Sequence, residues 1–234
     1  MISRRSVSRP VVTPPVYFRL MVDRRPELHT LDLEDLSESV PGALLRRKSI
    51  EIQSAFPTRV FLAKILGVHN EERAWRRGAA GEEEVARQLD KLGPSWRVLH
   101  SVPVSSNETD IDHVVIGPPG VFTLNTKNHV GKRVTVYNNT IFVSGIKLSY
   151  LNKSRAEGRR GSRILSSACG FEVTVNPVIV ILASELVFKG SPKEVNVVGH
   201  SKIAGWLDRR SVQLSSDRIE SIYSTARRRS TWMS

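Results

Sequence analysis

Residues 110–127 read DIDHVVIGPPGVFTLNTK, two apolar runs parted by Gly117-Pro118-Pro119-Gly120. Prolines cannot donate to a ladder and glycines permit a sharp reversal, so the runs are expected to pair as a short-turned antiparallel hairpin. Side chains alternate faces along a strand. Asp110 and Asp112 then share one face of the first strand, opposite Ile111 and His113. Asn125 and Lys127 share one face of the second, and the short turn brings Asp112 and Lys127 to the same end of the sheet. Aspartate is disfavoured inside strands. Two of them leading into Val114-Val115-Ile116 call for a cation, a basic partner or an edge facing water. The plainer alternative leaves Asp110 in the preceding loop. His113 reads as a hydrogen-bonded structural residue rather than a metal ligand.

The rest of the chain arranges itself around this hairpin. GEEEVARQLDKL is a helix expected to stop at Gly93-Pro94, and WRVLHSV is a strand. RVTVYNNTIFVSG reads as a hairpin across Asn138-Asn139. A basic helix from about Leu148 to Ala168 follows, weakened by Gly158 and Gly161. PVIVILAS, apolar throughout, is a strand buried on both faces. VNVVG is a short strand, and KIAGWLDRR and SDRIESIYSTARRR are closing helices. The order α-β-β-β-β-β-α-β-β-α-α implies an α/β fold: a mixed central sheet with helices on its faces.

Residues 1–58 differ in character and form an N-terminal extension to a domain expected over 59–233, with its core at about 75–190. The first fifteen residues, rich in Pro, Ser and Arg, are expected to be disordered or extended. LHTLDLEDLSESV has the makings of a short helix. Residues 42–66 mix apolar and basic side chains, an amphipathic pair that packs on the domain or lies on an anionic membrane surface.

The chain has 234 residues and a formal net charge of +12. That excess points to a polyanionic partner, foremost nucleic acid. Cys169 is the single cysteine, which excludes an intrachain disulfide and a thiolate zinc cage. A reducing, cytoplasmic setting is expected. No apolar run reaches the roughly 18–20 residues of a membrane span, and prolines and Arg19 interrupt the basic N-terminus where a signal peptide needs an apolar core. Arg155, Arg159 and Arg163 recur every four residues as one basic stripe, flanked by Lys147, Lys153 and Arg160, with only Glu157 as a nearby acid. Either the stripe contacts phosphates or it is a solvated face. Arg227, Arg228 and Arg229 are a weaker candidate, since cations favour a helix C-terminus without any ligand.

On the first helix Val85, Leu89 and Leu92 mark the apolar stripe. Glu82 precedes them by three, seven and ten residues and so lies on or beside the buried face. Glu83 is placed to pair with Arg87, and Glu84 to face solvent. Acids in a first turn complement the helix dipole. The dipole does not explain why one of them points inward.

GAAGEEEVARQL, VLHSVPV, DIDHVVIGPPGVFTLNTKNH, the basic helix and PVIVIL together resemble the nuclease-related domain, or NERD. The resemblance covers about residues 75–190 and extends from about Val60 to Trp232. It implies a restriction-endonuclease-like fold of the PD-(D/E)xK kind, and metal-dependent phosphodiesterase chemistry on DNA or RNA with Mg²⁺ or Mn²⁺. By position it makes Glu82 the helix glutamate, Asp112 the metal-binding aspartate and Lys127 the site lysine. The remaining motif acid falls on Asn125, an amide. The implied ligand set is then Asp112, Glu82 and Asn125, with the Thr126 carbonyl and with Asp110 or Glu108 as possible additions. A dication about 4 Å from a lysine meets roughly 8 kcal/mol of repulsion at an effective dielectric near 20, which carboxylates must offset. Asn125 therefore weakens metal binding. Two alternatives stand beside catalysis: a non-catalytic nucleic-acid-binding module on a nuclease fold, and a membrane or protein contact through residues 42–66.

Overall fold

The computed structural model describes residues 34–43, 45–46, 70–104 and 110–233. The expectations for the first fifteen residues, for most of 42–66 and for Glu108 fall outside them.

Helix α1 (Asn70–Leu89) opens the domain. It ends earlier than Gly93-Pro94, because Leu92 N–H turns back to the Leu89 carbonyl at 3.0 Å. Strands β1 (Arg97–Pro103), β2 (Asp110–Gly117) and β3 (Gly120–Val136) follow. β2 and β3 pair antiparallel from Gly117↔Gly120 to His113↔Leu124, the hairpin expected from the two apolar runs. Gly120 has φ 133°, a conformation only glycine adopts readily. β2 begins at Asp110, so that residue is strand and not loop.

The stretches VFTLNTK and RVTVY are one long strand, not two. The common partner of both is β6 (Val175–Phe188), which runs parallel to β3 from Val121↔Val175 to Val136↔Phe188, with one irregularity between His129 and Arg133. The far end of β3 folds back on β4 (Ile141–Val143), the hairpin at Asn138-Asn139. A further strand, β5 (Ile146–Leu148), pairs with β4 across Ser144 (φ 48°) and Gly145 (φ 84°). Two positive φ values in a two-residue loop suit the right-handed twist of the flanking strands. β5 takes Leu148, where the basic helix was expected to begin, and the helix starts at Tyr150. Helix α2 (Tyr150–Cys169) leads into β6, and β7 (Asn196–Gly199) pairs parallel with β6. Helices α3 (Ile203–Asp208), α4 (Ser216–Ala226) and α5 (Arg229–Trp232) close the chain.

The helices sit on both faces of the sheet. On one face Val85 and Leu89 of α1 and Ile203 and Leu207 pack over Val115, Phe122, Leu124, Val178 and Val180. On the other, Ile164 and Leu165 of α2, Ile219 and Ile222 of α4 and Trp232 cover Leu99, Val114 and Ile116. Val178 and Val180 belong to the first layer, and Ile179 and Ile181 pack with Val134, Val136 and Leu151 on the opposite side. β6 is thus buried on both faces, as its unbroken apolar sequence implies. The arrangement is that of an α/β restriction-endonuclease-like fold.

Gly158 and Gly161 have a packing reason to interrupt the helix. A Cβ on Gly158 would lie 2.9 Å from Pro177 Cδ, and one on Gly161 3.4 Å from Val175. Both residues are buried, and their lack of side chains brings α2 close to the sheet.

Residues 34–43 bridge the C-terminal helices and α1. Leu36 is buried in the main core. Leu36 N–H donates to the Arg227 carbonyl at 2.7 Å, and Arg229 N–H to the Glu34 carbonyl at 2.9 Å. The Asp35 carboxylate takes the Arg227 guanidinium, which holds its pKa well below the usual carboxylate range. The segment then reaches α1, where Gly42 (φ 71°) lies so close that a Cβ would meet that of Ala79 at 3.1 Å.

Candidate functional site

β2 leaves β3 at Leu124, and β4 joins the same edge only at Val134. Between them, residues 125–133 pair with neither strand on that side and are held by β6 on the other, at 125–129 and again at Arg133. Asn125 and Lys127 lie on this freed stretch. On β2, Asp112 lies just beyond the last β2–β3 pair. Opposite it on β1, Ser101 adopts φ 47°, between the pairs His100↔His113 and Val102↔Ile111. A left-handed serine costs energy, and its place opposite Asp112 releases that residue from regular pairing on both sides. The Asp112 carboxylate instead accepts from Thr126 N–H at 2.6 Å.

Helix α1 brings Glu82 to the site from one face. A Cβ on Gly81 would lie 3.0 Å from that of Asn128, so the helix rests directly on β3. Glu82 is 4% exposed and accepts from Gly42 N–H at 3.0 Å. Burial, then the negative charges of Asp112 and Asp110, push it up to about 9, against the pull of the Gly42 N–H and Lys127. Burial also raises Asp112, with Lys127 and the Thr126 hydrogen bonds opposing. Lys127 Nζ lies 5.4 Å from the centre of the Tyr150 ring, and Tyr150 in turn stacks on His129.

From the other face α2 supplies an acid that the sequence reading had counted only as a counter-charge. Asn125 Nδ2 donates to Glu157 Oε2 at 3.0 Å. Burial, then the charge of Asp112, push Glu157 up to about 7 against the opposing pull of Asn125 and Lys127. Its other oxygen, Oε1, is sealed from solvent and meets no donor, and the same holds for Asn125 Oδ1. The structure therefore brings together Glu82, Asp112, Asn125, Lys127 and Glu157, with Asp110 near enough to act on both glutamates. A signal for Glu157 existed in the Gly158 and Gly161 pair beside it, since small residues on a helix mark the side that approaches another element.

His113 is fully buried and meets His100 through their Nδ1 atoms at 2.8 Å, a structural contact as expected. Burial lowers both histidines, so the pair is neutral at neutral pH, one nitrogen donating and the other accepting. The ion pairs around Glu82 differ from those expected. Arg87 pairs with Glu84 at 2.6 Å, whereas Glu83 reaches Arg46 of the N-terminal segment. Glu84 is half-buried and also accepts from Gln88, since Arg87 and Gln88 lie three and four residues on, within reach along the same helix.

The basic helix is less uniform than its sequence. Arg155 is tied to Glu194 at 2.8 Å, an acid supplied by the loop before β7 and invisible to a local reading. Arg160 reaches toward the Val104 carbonyl at 3.4 Å. Lys147, Lys153, Arg159 and Arg163 are exposed. A cavity of about 630 Å³ lined by Arg209, Arg210, Gln213 and Arg218 lies by the Pro119-Gly120 turn, at the other end of the β2–β3 hairpin. Arg210 and Arg218 there stack on Trp206 and Phe171.

Among the described residues, no three His, Cys, Asp or Glu side chains are arranged to hold a metal ion, and no helix is long and apolar enough to cross a membrane. The donors at the β2–β3 opening are nevertheless hard oxygens, the kind Mg²⁺ and Mn²⁺ take. One of the two donorless oxygens is an amide, outside a set counted in carboxylates. In donor chemistry the residues fit a divalent cation.

No solved structure matches the chain significantly. An uncharacterised protein of Bacillus anthracis is 49% identical over 61 residues, 24% of this chain and 28% of that protein, so the match spans under a third of the relative's length. Residues 77–182 match the model of the nuclease-related domain. That span contains α1 from Arg77 onward, β1 to β5, α2 and half of β6, and with them all five converging side chains. The chain contains a nuclease-related domain, NERD, over residues 77–182.

Proposed function

We propose that this domain binds the phosphate backbone of nucleic acid along the opening between β2 and β4, as a nuclease-related module that need not cut. The carrying observation is the exposed cationic surface on and before α2, Lys147, Lys153, Arg159 and Arg163, on the helix that also delivers Glu157 to the opening. Glu82, held up to about 9, keeps its proton near pH 7, and Glu157, at about 7, keeps part of its own, so both repel phosphate less than fully ionised glutamates would. The net charge of +12 acts in the same direction. Such contacts read charge spacing rather than base sequence and weaken steeply with salt. Fluorescence anisotropy with labelled single-stranded and duplex DNA and RNA tests this. Affinity should fall at least about tenfold between about 50 and 200 mM salt. Arg159→Gln with Arg163→Gln should lower it, and Asp112→Asn should leave it in place. Salt-insensitive binding, or none, would sink the reading.

A second reading, metal-dependent phosphodiester hydrolysis, is favoured by the two donorless oxygens of Asn125 and Glu157. A bound Mg²⁺ or Mn²⁺ would neutralise phosphate oxygens and activate a water. Asp112, Asn125 and Glu82 would hold the ion or its waters. Lys127 would stabilise charge developing on phosphorus. Cleavage of plasmid or single-stranded DNA with Mn²⁺ that disappears in Asp112→Ala and Lys127→Ala would support it. Intact substrate with both metals, in protein that still binds nucleic acid, leaves the first reading alone.

A further inference from the structure

The acid missing at position 125 has a counterpart in space. Asn125 projects from the freed edge of β3, and the group it touches is the carboxylate of Glu157, delivered by α2. The hydrogen bond uses Asn125 Nδ2 and Glu157 Oε2, so Asn125 Oδ1 and Glu157 Oε1 remain, both sealed from solvent and both without a donor. Two buried acceptors with no hydrogen to accept are costly in a folded interior. Water, a protein donor or a cation can satisfy them, and no described protein group does. Arg155, the nearest cation along α2, is turned to Glu194 instead. Across the opening lies Asp112, whose charge acts on Glu157. One ionised carboxylate could not easily hold a dication beside Lys127, whereas two, with an amide oxygen, offer the hard donors that such ions take.

We propose that Glu157 stands in for the acid absent at position 125, so that Asp112, Asn125 and Glu157 form a site for a divalent cation of the Mg²⁺ or Mn²⁺ class. The position of α2 makes this possible. Gly158 and Gly161 seat the helix against Pro177 and Val175 and set Glu157 over β3. The amide at 125 is then not a lost acid. It leaves room and a hydrogen-bond donor for a carboxylate arriving from the helix. The site does not depend on nucleic-acid binding and is read out without it.

The test is Mn²⁺ binding to the full chain, followed by electron paramagnetic resonance and isothermal calorimetry with no nucleic acid present. The wild-type chain should bind one Mn²⁺ at this site, and Glu157→Gln, nearly the same shape, should weaken binding by tenfold or more. Moving the acid back, Asn125→Asp combined with Glu157→Asn, should recover most of the affinity. That recovery separates a lost ligand from a damaged fold. Wild-type protein that binds no Mn²⁺ at millimolar concentration overturns the proposal, and so does Glu157→Gln protein that binds as tightly as wild type. Anisotropy with labelled DNA on the same samples reports the proposed nucleic-acid binding separately, so either idea can fail alone.

Discussion

Glu82 keeps a proton that an unfolded glutamate gives up near pH 4.5. Between that point and about 9 the native chain binds more protons than the unfolded chain, so raising the pH costs stability. Glu157 adds to the loss up to about 7. Urea midpoints of the metal-free protein should therefore drop from about pH 5 to about pH 8. Glu82→Gln, which has no proton to lose, should flatten that drop, and an unchanged slope in the variant would show that Glu82 is not held as described. Glu82 itself was legible in the sequence, because its spacing from Val85, Leu89 and Leu92 pointed it inward. Glu157 was not: the glycines beside it mark the side of the helix that approaches the sheet, but its partner Asn125 lies thirty-two residues away. The ion pair of Arg155 was hidden for the same reason, its partner Glu194 lying beyond the next strand.

At the scale of elements, the approach of α2 to the sheet sets the geometry. In an exposed helix Gly→Ala is stabilising by up to about 1 kcal/mol. At Gly158 the new methyl would meet the Pro177 ring at 2.9–3.0 Å, which reverses the sign. Gly158→Ala should cost about 1–3 kcal/mol, measured by denaturant unfolding, and should weaken Mn²⁺ binding along with it. A neutral or stabilising result would mean that α2 sits further out. The β2–β3 hairpin and the doubly buried β6 were readable because period and turn chemistry are local. The fusion of VFTLNTK with RVTVY was not. The stretch from His129 to Arg133 looks like a break, and the pairing with β6 is itself irregular there; the strand reads as one because parallel pairing with β6 resumes at Arg133. The opening between β2 and β4 was equally hidden, since it exists through where neighbours stop rather than through any residue's own preference.

At the scale of the whole molecule, the segment at 34–43 links the C-terminal helices to α1. It holds Arg227 through Asp35 and Glu82 through Gly42 N–H. Asp35→Asn should loosen this link, and hydrogen exchange should show faster exchange at Leu36 and Gly42. Unchanged protection at both amides would place the hold elsewhere, in the buried Leu36 side chain. The net charge predicted a polyanion-binding surface, but not which cations are free. That required knowing that Arg155 and Arg227 pair with Glu194 and Asp35 whereas Arg159 and Arg163 are exposed.

The same segment bears on how the gene can be cut. The stretch recognisable by family ends at 182, in the middle of β6, and begins at 77, partway along α1. A fragment trimmed to those borders would lose Ile219, Ile222 and Trp232 from over Leu99 and Val114, and would leave the Glu82 carboxyl without its backbone donor. Such a fragment should be insoluble when expressed alone, whereas one carrying 34–233 should give a sharp melting transition. What can be transplanted into another protein as a working part is accordingly the longer piece.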